Sequence, residues 1–85
     1  MNTISWKPKA LKQARKLPAS AGAAISKAVS TELVDLTTAR NVKKLVNHEC
    51  NYRLRVGNYR VLFNYDGAVR IVSIEAVGKR DEQTY

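Results

Sequence analysis

The feature that most constrains this chain is a run of alternating apolar and polar residues in its second half. The segments NYRLRV (51–56) and YRVLFNY (59–65) both alternate, and the dipeptide Gly57–Asn58 separates them. Alternation with a period of two is typical of strands, and two turn residues between such runs favour a tight hairpin. The pattern therefore predicts an antiparallel pair of strands.

A second hairpin is predicted to follow the first. Asp66–Gly67 is another turn signal, and AVRIVSIEAV (68–77) is typical of a strand that is apolar on both faces, as expected inside a sheet. A two-residue turn at Asp66–Gly67 would pair the strands in the register Arg60 with Ser73, Val61 with Val72 and Leu62 with Ile71.

The first half of the chain is predicted to be mainly helical. TISW (3–6) is typical of a strand, and helical spacing of apolar residues predicts a helix over 7–17, with Pro8 in its first turn. After Pro18 a second helix is predicted over 19–39, with an apolar stripe formed by Ala21, Ala24, Ile25, Ala28, Val29, Leu33 and Leu36. The segment NVKKLVN (41–47) fits either a turn of helix or an extended arm.

These elements predict one domain over residues 1–85 of the α+β class. An N-terminal strand and a two-helix hairpin would pack on a small, mainly antiparallel sheet, in the order β-α-α-β-β-β.

The polar face of the first hairpin carries three arginines. A turn at Gly57–Asn58 pairs Arg55 with Arg60 and places Arg53 on the same face, opposite the apolar side chains. Like charges directly opposite one another destabilise a sheet. We interpret the cluster as a clamp for an anion, because guanidinium groups bind phosphate oxygens in a bidentate manner and stay charged.

The end of the chain is expected to extend this basic face. The last strand would bring Lys79 and Arg80 close to the arginines, with Tyr85 at the rim. Cationic grooves with stacking aromatic residues suit single-stranded nucleic acid, whose bases are unstacked and accessible.

The composition also favours an anionic partner. The 85 residues include 15 Lys and Arg but only 7 Asp and Glu, which gives a net charge of +8. The single cysteine, Cys50, cannot form an intrachain disulfide and suits a reducing compartment. The sequence has neither a signal-peptide pattern nor an apolar run of membrane-spanning length. We therefore expect a cytoplasmic protein without a cofactor, a metal or a membrane partner.

Two segments, YRLRVGNYRVLF (52–63) and IVSIEAVGKRDEQTY (71–85), resemble toxins of the RelE/ParE superfamily of bacterial toxin–antitoxin modules. The shared pattern is a basic strand, Gly-x-Tyr-Arg, an apolar strand, and Gly-Lys-Arg followed by tyrosine. The resemblance is close over residues 44–85, whereas the helices share only order, length and a basic first helix. The RelE branch is the better match, and it implies a fold of two helices on a small antiparallel sheet.

The RelE branch implies a ribosome-dependent endoribonuclease. Its members enter the vacant A site of the ribosome and cut the mRNA codon there without a metal. The ribose 2′-OH attacks the adjacent phosphate and leaves a 2′,3′-cyclic phosphate and a free 5′-OH. On this resemblance the catalytic residues are Arg53, Arg55, Arg60, Arg80 and Tyr85.

The resemblance also implies roles for these residues. Arg55 and Arg60 would hold the scissile phosphate and stabilise the charge of the transition state, Arg80 would assist the leaving 5′-oxygen, and Tyr85 would stack on a base.

One departure from the family concerns the proton of the 2′-OH. Well-known members carry lysines at the positions of Arg53 and Arg55, and arginine cannot serve as a base. The general base is therefore open among Glu75, Glu49, His48 and Asp81, or the reaction relies on positioning and electrostatics.

The nuclease hypothesis implies several partners. Ribosomal RNA and mRNA would contact a basic surface formed by Lys7, Lys9, Lys12, Arg15, Lys16, Arg40, Lys43, Lys44 and Lys79. The resemblance also implies a cognate antitoxin, with operator DNA bound only through the toxin–antitoxin complex.

Two other functions compete with the nuclease. A non-catalytic toxin of the ParE kind would share the fold and inhibit DNA gyrase by binding it. A general nucleic-acid-binding domain is the weaker alternative, because the sequence lacks a recognition helix with base-reading residues.

Overall fold

The computed structural model describes residues 1–46 and 49–79. They form, in chain order, β1 (Thr3–Trp6), α1 (Pro8–Arg15), α2 (Ala19–Glu32), β2 (Val42–Lys44), β3 (Tyr52–Val56), β4 (Tyr59–Asp66) and β5 (Ile71–Lys79). The strands make one sheet in the order β1-β5-β4-β3-β2. Only β1 runs parallel to its neighbour, so the predicted α+β architecture with a mainly antiparallel sheet is confirmed.

The segment for which the sequence left two alternatives is a strand. Val42–Lys44 pairs antiparallel with β3, in the register Val42 with Leu54 and Lys43 with Arg53. The sheet therefore has one strand more than the order predicted from the sequence.

The first helix begins and ends close to its predicted limits. Pro8 occupies its first turn, where the missing N–H costs no helical hydrogen bond, and the helix ends at Arg15. Within the described residues, no helix is long and apolar enough to cross a membrane.

The second helix is shorter than predicted. It ends at Glu32 rather than near residue 39. The side chain of Asp35 accepts hydrogen bonds from the backbone N–H of Thr37 at 3.0 Å and from its hydroxyl at 2.6 Å. Such local bonds give the backbone an alternative to the helix, which explains why the apolar spacing alone overestimated its length.

The core lies between the helices and one face of the sheet. Its largest fully buried side chains come from α2 and the residue that follows it, from β3 and β4, and from β5: Ile25, Val29, Leu33, Leu54, Val61, Phe63, Val72 and Ile74. Tyr52 and Phe63 stack at this face with ring centroids 5.4 Å apart. The polar side chains of the first hairpin therefore lie on the opposite face of the sheet.

The register predicted for the first hairpin is confirmed. Val56 pairs with Tyr59 and Arg55 with Arg60. Gly57 has φ +57°, and a Cβ there would meet no atom within 4 Å. Glycine at the first central position is the signature of a type II′ turn, so this residue is required by the backbone rather than by space.

The register predicted for the second hairpin is wrong. Arg60 pairs with Gly78 rather than with Ser73, Leu62 with Ala76 rather than with Ile71, and Val61 with Val77 rather than with Val72.

The turn of this hairpin is longer than the two residues predicted. The side chain of Asp66 accepts the N–H of Ala68 at 3.0 Å, and Arg70 closes the loop at φ +56°. Because Asp66 pairs with Ile71, four residues form the connection, and β5 covers 71–79 rather than 68–77.

Candidate nucleic-acid interface

The arginines of the first hairpin lie on the face of the sheet opposite the helices. We call this surface, defined by Lys43, Arg53, Arg55 and Arg60, the arginine face. Arg55 on β3 pairs directly with Arg60 on β4. The N–H of Arg55 donates to the carbonyl oxygen of Asn41 at 2.9 Å, so it points away from β4. The two arginines thus form a non-hydrogen-bonded pair, the closer kind, with Cα atoms about 4.5 Å apart.

A second row of this face crosses three strands. Lys43 on β2 pairs with Arg53 on β3, and Arg53 pairs with Leu62 on β4. The sequence predicted Lys43 as a peripheral RNA contact, but the structure brings it beside a predicted catalytic arginine. The sequence could not predict this pairing of Lys43 with Arg53, because it depends on β2, and the sequence did not define β2 as a strand.

Packing restricts two of the three arginines. Arg53 and Arg60 are half-buried and their Nε atoms are buried, whereas Arg55 is exposed. Leu62, the apolar residue between the two rows, is only 4% exposed although it faces away from the core. Burial around the stems reduces the number of positions that the guanidinium groups can adopt, which favours a defined binding geometry.

A β-bulge places an acid on the same face. Leu62 pairs with Ala76 but Phe63 pairs with Ile74, so Glu75 is the extra residue of β5. Its carboxylate accepts a hydrogen bond of 2.8 Å from the hydroxyl of Ser73. This bond orients the side chain of Glu75, one of the base candidates named from the sequence.

The only cysteine also lies near this acid. Burial raises the pKa of the Cys50 thiol, and the negative charges of Glu75 and Glu49 raise it further, while Lys9 opposes them. The side chain is 7% exposed. Cys50 is therefore a protonated, buried group, which agrees with the structural role expected of it.

The remaining predicted residues are distributed around the arginine face. The predicted RNA-binding cations on α1, beside its two ends and near β2 are exposed: Lys7, Lys9, Lys12, Arg15, Lys16, Arg40 and Lys44. Lys79 pairs with Tyr59, and Tyr59 packs against the core. Lys79 therefore lies at the same end of the sheet as Arg55 and Arg60, but on the opposite face of the sheet. Arg80, Tyr85, His48 and Asp81 lie outside the described residues. Glu49 is exposed.

One polar residue that the sequence did not single out lies at the edge of this site. The side-chain Oε1 of Gln13 accepts the backbone N–H of Val77 at 2.8 Å. β1 pairs only with Ile71–Ile74, so α1 covers the next part of this edge of β5. A lone amide on a basic helix was the only available signal in the sequence.

The molecule also has a larger cavity at the other end of the sheet. It has a volume of about 560 Å³ and is lined by residues that include Asp35, Leu36, Tyr65 and Arg70. None of the three arginines of the first hairpin lines it. The larger cavity is therefore separate from the candidate interface.

Solved structures of toxins share this fold. The chain is similar to the toxin in the toxin–antitoxin complex RelBE2 from Mycobacterium tuberculosis, with a TM-score of 0.75 and 26% identity over 93% of this chain and 98% of that one. It is also similar to the isolated RelE toxin of E. coli, with a TM-score of 0.77 and 21% identity over 99% of this chain and 89% of that one.

A third similar structure comes from an archaeon. The RelE–RelB complex of Pyrococcus horikoshii OT3 matches with a TM-score of 0.71 and 20% identity, over 95% of this chain and 97% of that one. Among curated protein sequences, no significant match was found.

The sequence as a whole matches one protein family. The profile of the family described as the ParE toxin of the type II toxin–antitoxin system parDE covers residues 4–84. This range includes both helices, all five strands of the described sheet except the first residue of β1, and the arginine face. The chain therefore belongs to the ParE toxin family of type II toxin–antitoxin systems, within the RelE/ParE superfamily.

Proposed function

We propose that this toxin is an endoribonuclease that cleaves mRNA in the ribosomal A site. The observation that carries the proposal is the direct opposition of Arg55 and Arg60 across β3 and β4. Such a pair disfavours the isolated sheet, whereas a phosphate between the two guanidinium groups would turn the repulsion into attraction. A ligand with regularly spaced phosphates, such as RNA, fits the second cationic row formed by Lys43 and Arg53.

The proposed reaction needs no metal. The 2′-oxygen forms a bond to the adjacent phosphorus, and the bond between phosphorus and the 5′-oxygen breaks. The products are a 2′,3′-cyclic phosphate and a 5′-hydroxyl, with the proton of the 2′-OH removed and one delivered to the leaving oxygen. Arg55 and Arg60 would stabilise the negative charge that develops on the phosphoryl oxygens.

The proton of the 2′-OH requires an acceptor other than arginine. Among the base candidates from the sequence, Glu75 is described on the arginine face, and Ser73 orients its carboxylate at 2.8 Å. We assign Glu75 as the acceptor. Replacement of Glu75 by Gln should then slow cleavage, whereas Glu32→Gln, remote from the arginine face, should not.

The other roles rest on the resemblance to the RelE branch. Arg80 would assist the leaving oxygen and Tyr85 would stack on a base. The exposed cations of α1 would contact ribosomal RNA, in the cytoplasm where mRNA is translated.

The family implies a protein partner as well. The similar toxins from Mycobacterium tuberculosis and Pyrococcus horikoshii were solved as toxin–antitoxin complexes. We propose that a cognate antitoxin covers the arginine face with an acidic or amphipathic segment. Operator DNA would then be bound by the complex, through the antitoxin.

A second function is favoured by the family match itself. The matching family is that of the ParE toxins, for which the resemblance implies inhibition of DNA gyrase by binding. This function does not require an anion between Arg55 and Arg60. The two functions therefore differ in whether the opposed arginines are needed.

The decisive experiment compares wild type and two variants in three assays. Wild type, Arg60→Ala and the control Arg70→Ala, which changes an exposed arginine in the β4–β5 loop, would be incubated with ribosomes carrying mRNA and an empty A site, with naked mRNA, and with gyrase. We expect wild type and Arg70→Ala to cut ribosome-bound mRNA within codons and to leave cyclic phosphate ends. We expect Arg60→Ala to lose about 10²-fold or more of this activity.

Two results would contradict the proposed ribosome-dependent nuclease. One is inhibition of gyrase by wild type and Arg60→Ala alike, without any cleavage of ribosome-bound mRNA. The other is equal cleavage of naked and ribosome-bound mRNA, which would remove the ribosome dependence.

A further inference from the structure

A polar cluster lies on the same face of the sheet as the arginines, further from the turn of the first hairpin. Asn64 on β4 pairs with Ser73 on β5, so their Cβ atoms lie about 4.5–5.5 Å apart on this face. Ser73 donates its hydroxyl hydrogen to the carboxylate of Glu75 at 2.8 Å. All three side chains are half-buried. Along this face of β4, Leu62 separates Asn64 from Arg60, so the cluster borders the arginine face.

The side-chain amide of Asn64 has a defined orientation. Its Oδ1 accepts the backbone N–H of Asn51 at 2.7 Å. Because only the oxygen end of an amide can accept an N–H, this bond fixes the position of Oδ1 and leaves the NH₂ group as the donor. Within residues 1–46 and 49–79 this NH₂ group makes no hydrogen bond. The cluster therefore offers a donor on Asn64 and an acceptor on Glu75.

An open depression of about 470 Å³ begins at Asn64 and Ser73 and extends toward the β4–β5 loop. Among the described residues that line it there is no lysine or arginine, and Asp66 adds a negative charge. A phosphate would therefore be repelled there. The uncharged sugar and base of a nucleoside would instead bury apolar surface against Val69 and Ile71, which are partly exposed.

We propose that Asn64 and Glu75 together bind the ribose on the 5′ side of the cut, with Asn64 as a residue that determines specificity for RNA over DNA. The inference rests on the proposed nuclease function. The 2′-OH is both a donor and an acceptor, and this is how a protein distinguishes RNA from DNA at a given position. Its hydrogen would be donated to Glu75, and its oxygen would accept a hydrogen bond from the NH₂ group of Asn64.

This arrangement is compatible with the reaction. The 2′-oxygen has two lone pairs, so one accepts the hydrogen bond from Asn64 and the other remains available for the bond to phosphorus. The phosphate itself would lie with Arg55 and Arg60, and the rest of the nucleoside on its 5′ side would lie in the depression. The cations and the neutral depression thus bind different parts of the same nucleotide.

The test uses the free toxin and nucleotides that cannot be cut, without ribosomes. A nucleoside 3′-monophosphate carries both the 2′-OH and the phosphate of the nucleotide on the 5′ side. Protein labelled with ¹⁵N would be titrated with 3′-CMP and with 2′-deoxy-3′-CMP at constant ionic strength. We expect the 2′-OH to improve binding about tenfold and to shift the side-chain amide of Asn64. Inorganic phosphate should shift resonances of Arg55 and Arg60 but leave that amide in place.

A near-isosteric variant tests the donor of Asn64 directly. Asn64→Asp keeps an oxygen for the N–H of Asn51 but replaces the NH₂ group by an acceptor, so we expect the advantage of the 2′-OH to fall to about twofold or less. Asn58→Asp, in the exposed turn of the first hairpin, makes the same chemical change and lowers the net charge by the same one unit. It should affect both nucleotides alike and keep their ratio. The ¹H–¹⁵N spectrum of each variant would confirm that the fold is retained.

The outcomes separate this inference from the proposed function. Equal affinity of wild type for the two nucleotides would overturn the ribose site without the need for any variant, and so would an unchanged advantage of the 2′-OH in Asn64→Asp. If ribosome-bound mRNA is nevertheless cut, the nuclease stands. An advantage of the 2′-OH that depends on Asn64, without ribosomal cleavage, would instead overturn the nuclease alone.

Discussion

Lys43 on β2 lies directly opposite Arg53 on β3, so its charge faces one of the arginines predicted as catalytic. Two residues along β3, Arg55 faces Arg60 in the same way. The arginine face thus contains two like-charged pairs side by side, each unfavourable in a sheet. The core beneath supports them, because Leu54 and Val61 on the reverse face of the same strands are fully buried.

The pair of Arg55 and Arg60 should cost stability. Arg55→Thr removes one charge of the pair and introduces a residue that favours strands, so we expect the free energy of unfolding to rise by about 0.2–1 kcal/mol. Cleavage of ribosome-bound mRNA should fall about 10²-fold, since one donor to the phosphate is lost. Urea denaturation and the cleavage assay measure the two effects.

Arg55→Lys is the matched control for this variant. It keeps the like charge, so it should leave stability unchanged. A stability of Arg55→Thr below that of wild type would show that the arginine pair does not strain the sheet.

The charge of Lys43 should act on Arg53 across the strands. Lys43→Glu creates an opposite-charge pair, and we expect the fold to be stabilised by up to about 1 kcal/mol at low salt, with the gain falling as salt screens it. Lys44→Glu is the control, because Lys44 pairs with Tyr52 instead. Equal effects of the two substitutions in denaturation experiments would mean that the gain reflects net charge and not this pair.

The side chain of Gln13 should be structurally important. Gln13→Ala leaves the N–H of the buried Val77 without its acceptor, so we expect a loss of about 1–3 kcal/mol in the free energy of unfolding. Gln13→Glu should restore most of this loss, since the carboxylate supplies an oxygen at the same place. Guanidinium denaturation of the three proteins gives the comparison, and a near-wild-type Gln13→Ala would refute the role of this bond.

Cys50 should react slowly with alkylating reagents in the folded protein. Burial, Glu75 and Glu49 raise its pKa above the ordinary value of 9.0, so the reactive thiolate is scarce at neutral pH. The protonated thiol stabilises the fold relative to the unfolded chain below about pH 9, and this contribution is lost as the pH rises through the folded value.

The pH dependence of alkylation checks this pKa. Glu75→Gln removes a negative charge and should shift the alkylation profile to lower pH. Glu32→Gln, whose side chain accepts the N–H of Arg40 at the other side of the molecule, should leave the profile in place. An unchanged profile in Glu75→Gln would show that the charge of Glu75 does not contribute to the pKa of Cys50.

The sequence predicted the elements that depend on local chemistry. The first hairpin was predicted correctly because glycine at position 57 determines both the turn type and the register. The second hairpin was not, because Asp66 bonds to Ala68 and lengthens the turn, and because the bulge at Glu75 shifts the register within β5. The bulge interrupts the alternation, because the buried residues Ile74 and Val77 lie three positions apart, but the apolar residues on both faces of this segment hide the break.

The candidate site, like the fold, was predictable where it depends on a single hairpin and not where it depends on long-range packing. The opposition of Arg55 and Arg60 follows from the first hairpin. Lys43 joins the site because β2 pairs with β3, and Gln13 because α1 packs on β5. Both depend on contacts between segments distant in the chain, which periodicity cannot reveal.

The pairing of Thr3 with Ile71 has a consequence for how the chain folds during its synthesis. The first strand can find its place only after the last described strand has been synthesised, and an isolated hairpin such as β3–β4 is at best marginally stable. Nascent chains should therefore lack the complete sheet until β5 has been synthesised. The opposed pair of Arg55 and Arg60 would gain a stable framework only at that stage of folding.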